Sequence, residues 1–465
     1  MSILEVLENI NAVLWGPPSL ILLFGTGLFL TFALKGLQFR RLGHAFRLGF
    51  GKEDEKDSAA EGDISHFKTL MTTLSATIGI GNIAGVATAV TLGGPGAIFW
   101  MWIVGLLGMA TKYAEALLAV KYRVKNDRGE YSSGPMYYIE KGLGKKFKFL
   151  AIAFALFGAI AALGIGNSVQ SNTIADVALT SFSIPNWLTG LLLIVLVSFI
   201  IFGGIQRIST VASFFVPIMA ILYMGAAILI LILNYNLILP AFELIFYYAF
   251  NPVAAVGGFV GIVVAEAIRN GVARGIFSNE AGLGTAALIA GSARGDHPVK
   301  QALVAMTGTF IVTIIVCTMT GLVLLITGFW DQTGGLISNV PHDSTLEAGA
   351  LTSAAFGSVL GVVGEYIVSL SVIFFGFSTI VGWYVYGEKC FEYLIGTKGI
   401  TSYRIIYVLA CGIGTVASLQ TVWAFADMAN ALMMIPNLIA LLLLWKVVVS
   451  ETNDYFTNFY KHGKG

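Results

Sequence analysis

Long apolar runs separated by short polar segments dominate the sequence. A bilayer core about 30 Å thick is crossed by roughly 20 apolar residues in a helix. Cutting the chain at charges, Pro/Gly clusters and polar runs gives eleven such segments, near 17–37, 67–90, 97–120, 148–180, 187–203, 208–233, 253–292, 299–329, 357–386, 402–419 and 422–446. The pattern therefore predicts an all-α integral membrane protein with eleven transmembrane helices.

The composition leads to the same class. Hydrophobic residues make up 57% of the 465 residues and charged residues 11%, with a mean hydropathy of +0.82, whereas an ordinary globular chain has about 25% charged residues. Too few polar side chains remain to cover a water-exposed surface, which excludes a soluble protein. A net charge of +1 would not attract nucleic acid. We expect a lipid bilayer around the chain, no nucleic acid and no obligate protein partner.

The loop charges predict the orientation, because Lys and Arg accumulate in cytoplasmic loops. Residues 35–68 contain seven of these cations and residues 121–148 contain eight. The loops that alternate with them contain none: 1–16, 91–96, 181–186, 234–252, 330–356 and 420–421. We expect a multi-pass protein of the cell membrane with its N-terminus outside and its C-terminus in the cytoplasm.

Two of the predicted spans are interrupted by polar and glycine residues. The second contains Gly79-Ile80-Gly81-Asn82, and the seventh contains residues 278–284, Ser-Asn-Glu-Ala-Gly-Leu-Gly. Small residues also allow close packing of intact helices, which is the alternative interpretation. A helix broken inside a membrane frees carbonyls that can hold a cation and N–H groups that can face an anion.

The positions of the two interruptions indicate an internal repeat. Five predicted helices follow from the first interrupted span, in residues 67–233, and five from the second, in residues 253–446. Because five is odd, the two halves have opposite orientations, as in many secondary transporters. We therefore divide the chain into an N-terminal helix with a basic loop (1–66), the two repeats, an extracellular connector between them (234–252) and a cytoplasmic tail (447–465).

Four segments carry a resemblance to a known family. They are SATIGIGNIAGVATA (75–89), GGPGAIFWMW (93–102), FSNEAGLG (277–284) and FSTIVGWY (377–384). In this order they resemble the alanine/glycine:cation symporter family. The resemblance implies a leucine-transporter-like fold and sodium-coupled uptake of small neutral amino acids, alanine and glycine, with Na⁺ as the coupling ion, no other cofactor and no enzymatic activity.

The resemblance also implies a sodium site. It would join the hydroxyls of Ser378 and Thr379 to carbonyls near Ser75 and Ile78. Taken alone, such hydroxyls often bond to their own helix, but neutral oxygen ligands suit a weakly held monovalent cation.

Ionisable residues at membrane depth are costly and are therefore functional candidates. Glu280 lies in the second interruption, where it would attract a second cation together with Asn82, attract the substrate ammonium, or brace the backbone. Arg269, Arg274 and Asp427 would form an outer gate or a structural ion pair.

The polar residues of the fourth span suggest substrate contacts. Asn167 and Gln170 are three residues apart and would share one helix face, although polar contacts between helices would also explain them. Phe277 would cover the pocket as an aromatic lid. The expected substrate-binding residues are Thr77, Gly79, Gly81, Asn167, Gln170, Phe277, Ser278 and Asn279.

These observations predict a symporter that works by alternating access. The first alternative is a proton-coupled carrier in which Glu280 titrates, and the second is an ion channel. An intramembrane enzyme is the least favoured, because the sequence contains no His-rich cluster and no nucleophile motif.

Overall fold

The protein is described by a computed structural model that covers residues 3–51, 60–251, 260–330, 348–417 and 420–460. Within these residues the regular secondary structure is helical, apart from one antiparallel pair of two-residue strands, Val124–Lys125 and Tyr131–Ser132, and an isolated bridge between Ile64 and Ala293. The predicted all-α membrane architecture is confirmed.

The helices of the first half follow the predicted spans closely. Their bounds are Ile3–Leu14, Pro17–Ala33, Leu37–Arg40, Leu42–Phe50, His66–Thr77, Ala84–Gly93, Gly96–Lys121, Pro135–Tyr138, Lys148–Leu163, Val169–Phe182, Asn186–Ile201, Gly204–Leu233 and Tyr235–Phe250. Short 3₁₀ turns at Ile80–Asn82 and Lys145–Phe147 and π-helical turns at Ile139–Leu143 and Gly164–Ser168 connect some of them.

The second half has the same character. Its helices are Val260–Asn279, Thr285–Ala290, Pro298–Thr309, Thr318–Thr327, Ala348–Leu360, Val362–Ile395, Ile400–Gly414 and Gln420–Asp454. π-Helical segments at Phe310–Cys317 and Tyr455–Phe459 and a 3₁₀ turn at Thr397–Gly399 complete it.

Among the described residues, seven helices are long and apolar enough to cross a membrane, or eight with the bent pair His66–Thr77 and Ile80–Gly93. The other three predicted spans are also helices, but they are shorter or more charged than a typical membrane-spanning helix. Asn186–Ile201 and Ile400–Gly414 have only 16 and 15 residues, and Val260–Asn279 carries three charges. Residues 253–259 and 418–419 of the predicted spans lie outside the described residues.

Three boundaries differ from the expectation. The predicted span 357–386 joins two helices, Ala348–Leu360 and Val362–Ile395, because Gly361 breaks the chain at φ 64° between two apolar sequences. Most of the connector 234–252 is a helix, Tyr235–Phe250. The last helix continues to Asp454, beyond the start of the expected tail. Hydropathy does not reveal a break at a single glycine between two apolar helices. It also does not show where a helix ends within a stretch that is uniformly apolar or uniformly polar.

The outermost helices carry the exposed apolar side chains. Phe32, Trp187, Phe199, Ile221 and Ile413 are all more than 60% exposed, as expected of side chains that face hydrocarbon rather than water. The helix Gly96–Lys121 lies at the opposite extreme, because most of its length is buried. This central helix packs against both interrupted helices and brings its own side chains close to the candidate site.

Candidate functional site

The first interruption is a true break in a helix. The helix His66–Thr77 ends at Ile78, and the chain bends by 71° before it continues to Gly93. A Cβ atom on Gly79 would lie 2.8 Å from Thr379 Oγ1, and one on Gly81 would lie 2.8 Å from a Phe277 ring carbon. Glycine at both positions therefore lets the backbone of residues 78–83, the first break, approach these side chains closely.

Asn82 stabilises this unwound backbone and connects it to the second interrupted helix. Its Nδ2 donates to the Thr77 carbonyl at 2.9 Å, and its Oδ1 accepts from the hydroxyl of Ser278 and, at 3.4 Å, from Cys317. The second cation site expected at Asn82 and Glu280 is therefore not assembled. The oxygen of Asn82 is already occupied, and Glu280 has other partners.

The residues expected to hold sodium meet beside the first break. Ser378 Oγ donates to the carbonyls of Ser75 at 3.1 Å and Phe375 at 3.0 Å. The neighbouring Thr379 Oγ1 is buried and has no hydrogen-bond partner among the described residues. Ile78 is the first residue after the helix end, where carbonyls lose their intrahelical partners. These neutral oxygen atoms fit a sodium ion better than a divalent metal.

A small cavity opens between the two breaks. Its lining comes from both interrupted helices and from three further helices: Ala76, Thr77, Gly79, Ile80, Gly81, Ile165, Gln170, Phe277, Glu280, Leu283, Thr379, Trp383 and Asn430. Three of these residues have a buried oxygen without a partner among the described residues, namely Gln170 Oε1, Thr379 Oγ1 and Asn430 Oδ1. Buried polar atoms are normally hydrogen-bonded, so this cluster points to a missing polar ligand.

Five of the eight residues expected to bind substrate line this cavity: Thr77, Gly79, Gly81, Gln170 and Phe277. Asn167 does not line it. Its Nδ2 donates to the carbonyl of Tyr407 at 2.6 Å and connects two helices. The π-helical turn Gly164–Ser168 inserts an extra residue into the helix, so Asn167 and Gln170 do not share the face that regular helical spacing predicted.

Ser278 and Asn279 also lie outside the cavity lining, and their side chains stabilise the second break, residues 280–284. Asn279 Oδ1 accepts from the N–H of Ala281 at 2.8 Å, and its Nδ2 donates to Thr313 at 3.1 Å. Ser278 donates to Asn82. The side chains of Asn167, Ser278 and Asn279 therefore form hydrogen bonds within the protein, and their expected contacts with a substrate stay predictions.

Glu280 reaches the cavity with both carboxylate oxygens engaged. Oε1 accepts from Trp383 Nε1 at 3.0 Å, and Oε2 accepts from Thr285 at 2.7 Å. The residue adopts a left-handed backbone conformation, φ 57°, which is uncommon for a residue with a side chain and frequently marks a functional position.

Sequence reasoning missed three buried polar residues, Lys112, Glu115 and Asn430. Glu115 Oε1 accepts from the N–H groups of Gly282 and Gly284, at 3.0 and 3.1 Å, and from Asn437 at 2.8 Å. An internal carboxylate thus occupies the N–H groups that the second break would otherwise offer to a substrate anion. A Lys-x-x-Glu pair inside the predicted span 97–120 was the available signal, since charges at that depth are rare.

The expected outer gate is only partly assembled. Arg274 and Asp427 are mostly buried and attract each other electrostatically. The structure does not bring Arg269 to this pair, because it is exposed and lies 3.5 Å from Glu266 on its own helix. The N-terminal segment contacts the same region through Trp15 Nε1, which donates to the Asp427 carbonyl at 3.3 Å.

The opposite ends of the two interrupted helices are joined directly. The N–H groups of Asp63 and Ile64 donate to the Ser292 carbonyl at 2.8 and 3.0 Å. Arg123 donates to the carbonyls of Glu61, Gly291 and Ala293 at 2.8 to 2.9 Å. We call these contacts the inner joint. We expect that this joint restricts access to the cavity from its own side.

A helical membrane bundle in which two interrupted helices enclose one buried polar cavity is characteristic of secondary transporters. Comparison with known proteins gives the particular class. A model of the sodium:alanine symporter family matches residues 1–464. The chain belongs to the sodium:alanine symporter family and is a cation-coupled amino acid transporter, not an enzyme, as the sequence motifs predicted.

Individual relatives cover nearly the whole chain. The sodium/alanine symporter AgcS of Methanococcus maripaludis is 51% identical and covers 98% of each chain. An uncharacterized transporter of Haemophilus influenzae is 50% identical over 98% of this chain and 97% of its own. Among solved structures, a manganese transporter of Eremococcus coleocola aligns with a TM-score of 0.50 and 13% identity over 85% of this chain and 88% of that one, which is a likeness of fold alone.

Proposed function

We propose that the protein carries alanine or glycine into the cell together with Na⁺, by alternating access of the cavity to the two sides of the membrane. The observation that carries this proposal is the cluster of buried cavity oxygens from Gln170, Thr379 and Asn430 that have no hydrogen-bond partner among the described residues. The family and its sodium/alanine member support Na⁺ and alanine as the transported pair.

The substrate carboxylate would bind at the first break. The N–H groups of Gly282 and Gly284 in the second break already donate to Glu115, so they are not available to a second anion. Gly79 and Gly81 border the cavity and have no side chains that would cover their backbone. Backbone N–H groups at the start of a helical segment favour an anion.

The ammonium group would then face the side-chain oxygens of the cavity. Gln170 Oε1 and Asn430 Oδ1 supply acceptors there, and Glu280 supplies a carboxylate. An ammonium has three donors. Trp383 and Phe277 border the remaining space and would restrict the side chain of the amino acid to a small one.

The sodium ion would bind beside the substrate at the first break, between the Ser75 and Ile78 carbonyls and the hydroxyls of Ser378 and Thr379. In this position it would stabilise the backbone that binds the carboxylate, and the two ligands would favour each other's binding. We further propose eleven spans arranged as two inverted five-helix repeats after one extra helix, with the N-terminus outside.

The test is uptake of labelled amino acids into proteoliposomes of the purified protein. An inward Na⁺ gradient should drive accumulation of alanine and glycine, whereas an inward H⁺ gradient without Na⁺ should not. Uptake driven by H⁺ alone would favour the proton-coupled alternative, and ion conductance far above carrier turnover would favour a channel.

A further inference from the structure

The π-helical turn Gly164–Ser168 lies beside the cavity, and the transport mechanism described above does not use it. Turns of this kind are rare inside α-helices and frequently mark functional positions. The carbonyl of Ile165, within the turn, accepts a hydrogen bond from Gln170 Nε2 at 3.1 Å, and both residues line the cavity. The turn therefore already determines how the amide of one cavity residue is oriented.

Gly166 of the same turn determines the position of a second cavity residue, Trp383. A Cβ atom on Gly166 would lie 2.6 Å from Trp383 Cδ2 and still closer to Trp383 Cβ and Cγ. Trp383 lines the cavity, whereas Gly166 is not one of the residues that line it. Small residues allow two helices in a membrane to approach this closely. The absence of a side chain at Gly166 therefore leaves the space that the base of the Trp383 side chain occupies.

The indole ring of Trp383 is also held by contacts away from Gly166. Its Nε1 donates to Glu280 Oε1 at 3.0 Å, and the ring packs edge-to-face with Tyr386, with ring centroids 5.2 Å apart. Trp383 is only 3% exposed. Because protein interiors are close-packed, the cavity is the open space beside this ring. We therefore expect a methyl group added at Gly166 to displace the ring towards the cavity.

We propose that Gly166 determines the substrate specificity of the transport site. Its missing side chain sets the position of Trp383, and in that position the ring leaves room for the side chain of glycine or alanine but not for a longer one. Gly166 is a positioning residue in this scheme, because it acts through Trp383 and does not touch the substrate. The inference rests on the proposed transport of alanine and glycine and adds the residue that limits their size.

The experiment compares the binding of glycine, alanine and 2-aminobutyrate, which has one methylene group more than alanine, by isothermal titration of the purified protein at saturating Na⁺. One methylene group in an apolar pocket changes an affinity by roughly 10- to 200-fold. The wild type should bind 2-aminobutyrate at least about tenfold more weakly than alanine. Gly166→Ala should bind glycine but lose affinity for alanine, relative to glycine, by at least about tenfold. An unchanged ratio of alanine to glycine affinity in Gly166→Ala would overturn the proposal, because a purely structural role affects both amino acids alike.

Gly158→Ala is the matched control for a change in the packing of the two helices. Gly158 lies in the helix that leads into the turn, Lys148–Leu163, and it faces the helix that carries Trp383. Its Cβ atom would lie 2.7 Å from Cys390 Sγ, and neither residue lines the cavity. Gly158→Ala should keep the wild-type ratio of alanine to glycine affinity. A change as large as that of Gly166→Ala would overturn the proposal, because separation of the two helices would then be sufficient.

Trp383→Phe tests the same proposal from the other side of the contact. The smaller ring should raise the affinity for 2-aminobutyrate, relative to alanine, by at least about tenfold. Combined with Gly166→Ala, it should return the ratio of alanine to glycine affinity towards the wild-type value, and no recovery would contradict an action through Trp383.

The remaining outcomes also give a decision. If Gly166→Ala does not fold, Trp383→Phe alone decides, and an unchanged preference for alanine over 2-aminobutyrate would overturn the proposal. A wild-type protein that binds none of the three amino acids in the presence of Na⁺ would instead refute the proposed function.

Discussion

The substitution Thr379→Val tests the sodium site with little other change. Thr379 Oγ1 is buried without a partner among the described residues, and an unsatisfied buried hydroxyl costs about 1 to 3 kcal/mol. Valine replaces that hydroxyl by a methyl group of similar size. In the absence of Na⁺ the variant should therefore be at least as stable as the wild type.

Adding Na⁺ should reveal the loss of the Thr379 hydroxyl as a ligand. A polar contact to a charged group contributes about 1.5 to 3 kcal/mol, so the Na⁺ affinity should fall by roughly 10- to 150-fold at 1.4 kcal/mol per decade. A ligand present at 100 times its dissociation constant stabilises the folded state by about 2.7 kcal/mol. From about half to about nine tenths of this stabilisation should disappear in the variant at the same Na⁺ concentration.

The assay is thermal unfolding of the purified protein across a Na⁺ titration, with Thr327→Val as the control. Thr327 is also fully buried, but its hydroxyl already donates to the Val323 carbonyl at 2.7 Å. Its replacement should lower stability equally with and without Na⁺. A Thr379→Val protein that gains as much stability from Na⁺ as the wild type would refute the assignment of this hydroxyl.

Three further predictions follow from the cavity and the inner joint. Gln170→Met should weaken alanine binding by about 1 to 3 kcal/mol, because the acceptor offered by Oε1 is lost. Isothermal titration at saturating Na⁺ measures the alanine affinity, and an unchanged affinity would assign Gln170 a structural role. Gly79→Ala should abolish Na⁺-stimulated binding of alanine, because its Cβ would lie 2.8 Å from Thr379 Oγ1. Gly85→Ala is the control and should bind alanine normally, because the added methyl group enters open space. Equal binding by both variants would contradict the close approach of Gly79 to Thr379. Arg123→Ala should raise the thiol-labelling rate of a Thr77→Cys reporter at least tenfold, because it removes three hydrogen bonds of the inner joint. Asp63→Asn should have a smaller effect, because burial raises the pKa of the Asp63 carboxyl and so reduces the cost of losing its charge. A larger effect of Asp63→Asn than of Arg123→Ala would contradict this view of the joint.

The sequence predicted the spans and the two breaks because both are local signals. Glycines at 79 and 81 interrupt an apolar run, and hydropathy alone finds the helices around them. Asn430 was not predictable in this way, since it reaches the cavity through packing of a distant helix. The π-helical turn Gly164–Ser168 was not predictable either, and it separates Asn167 within the turn from Gln170, which lines the cavity.

The buried charges show a related limit. Glu280 was recognised because it lies in a visible interruption, whereas Lys112 and Glu115 lie in an unbroken apolar span. The importance of Glu115 follows from its contacts with Gly282 and Gly284, more than 160 residues away along the chain. Only the tertiary structure reveals that the second break already holds an anion.

The central claim is that Na⁺ and the amino acid bind next to each other at the same unwound backbone and stabilise each other. The most direct measurement is the pair of binding titrations on the purified protein, alanine with and without Na⁺ and Na⁺ with and without alanine. The account predicts that each ligand raises the affinity of the other by the same factor, as thermodynamic linkage requires of coupled sites. Affinities for alanine and Na⁺ that do not depend on each other would contradict it.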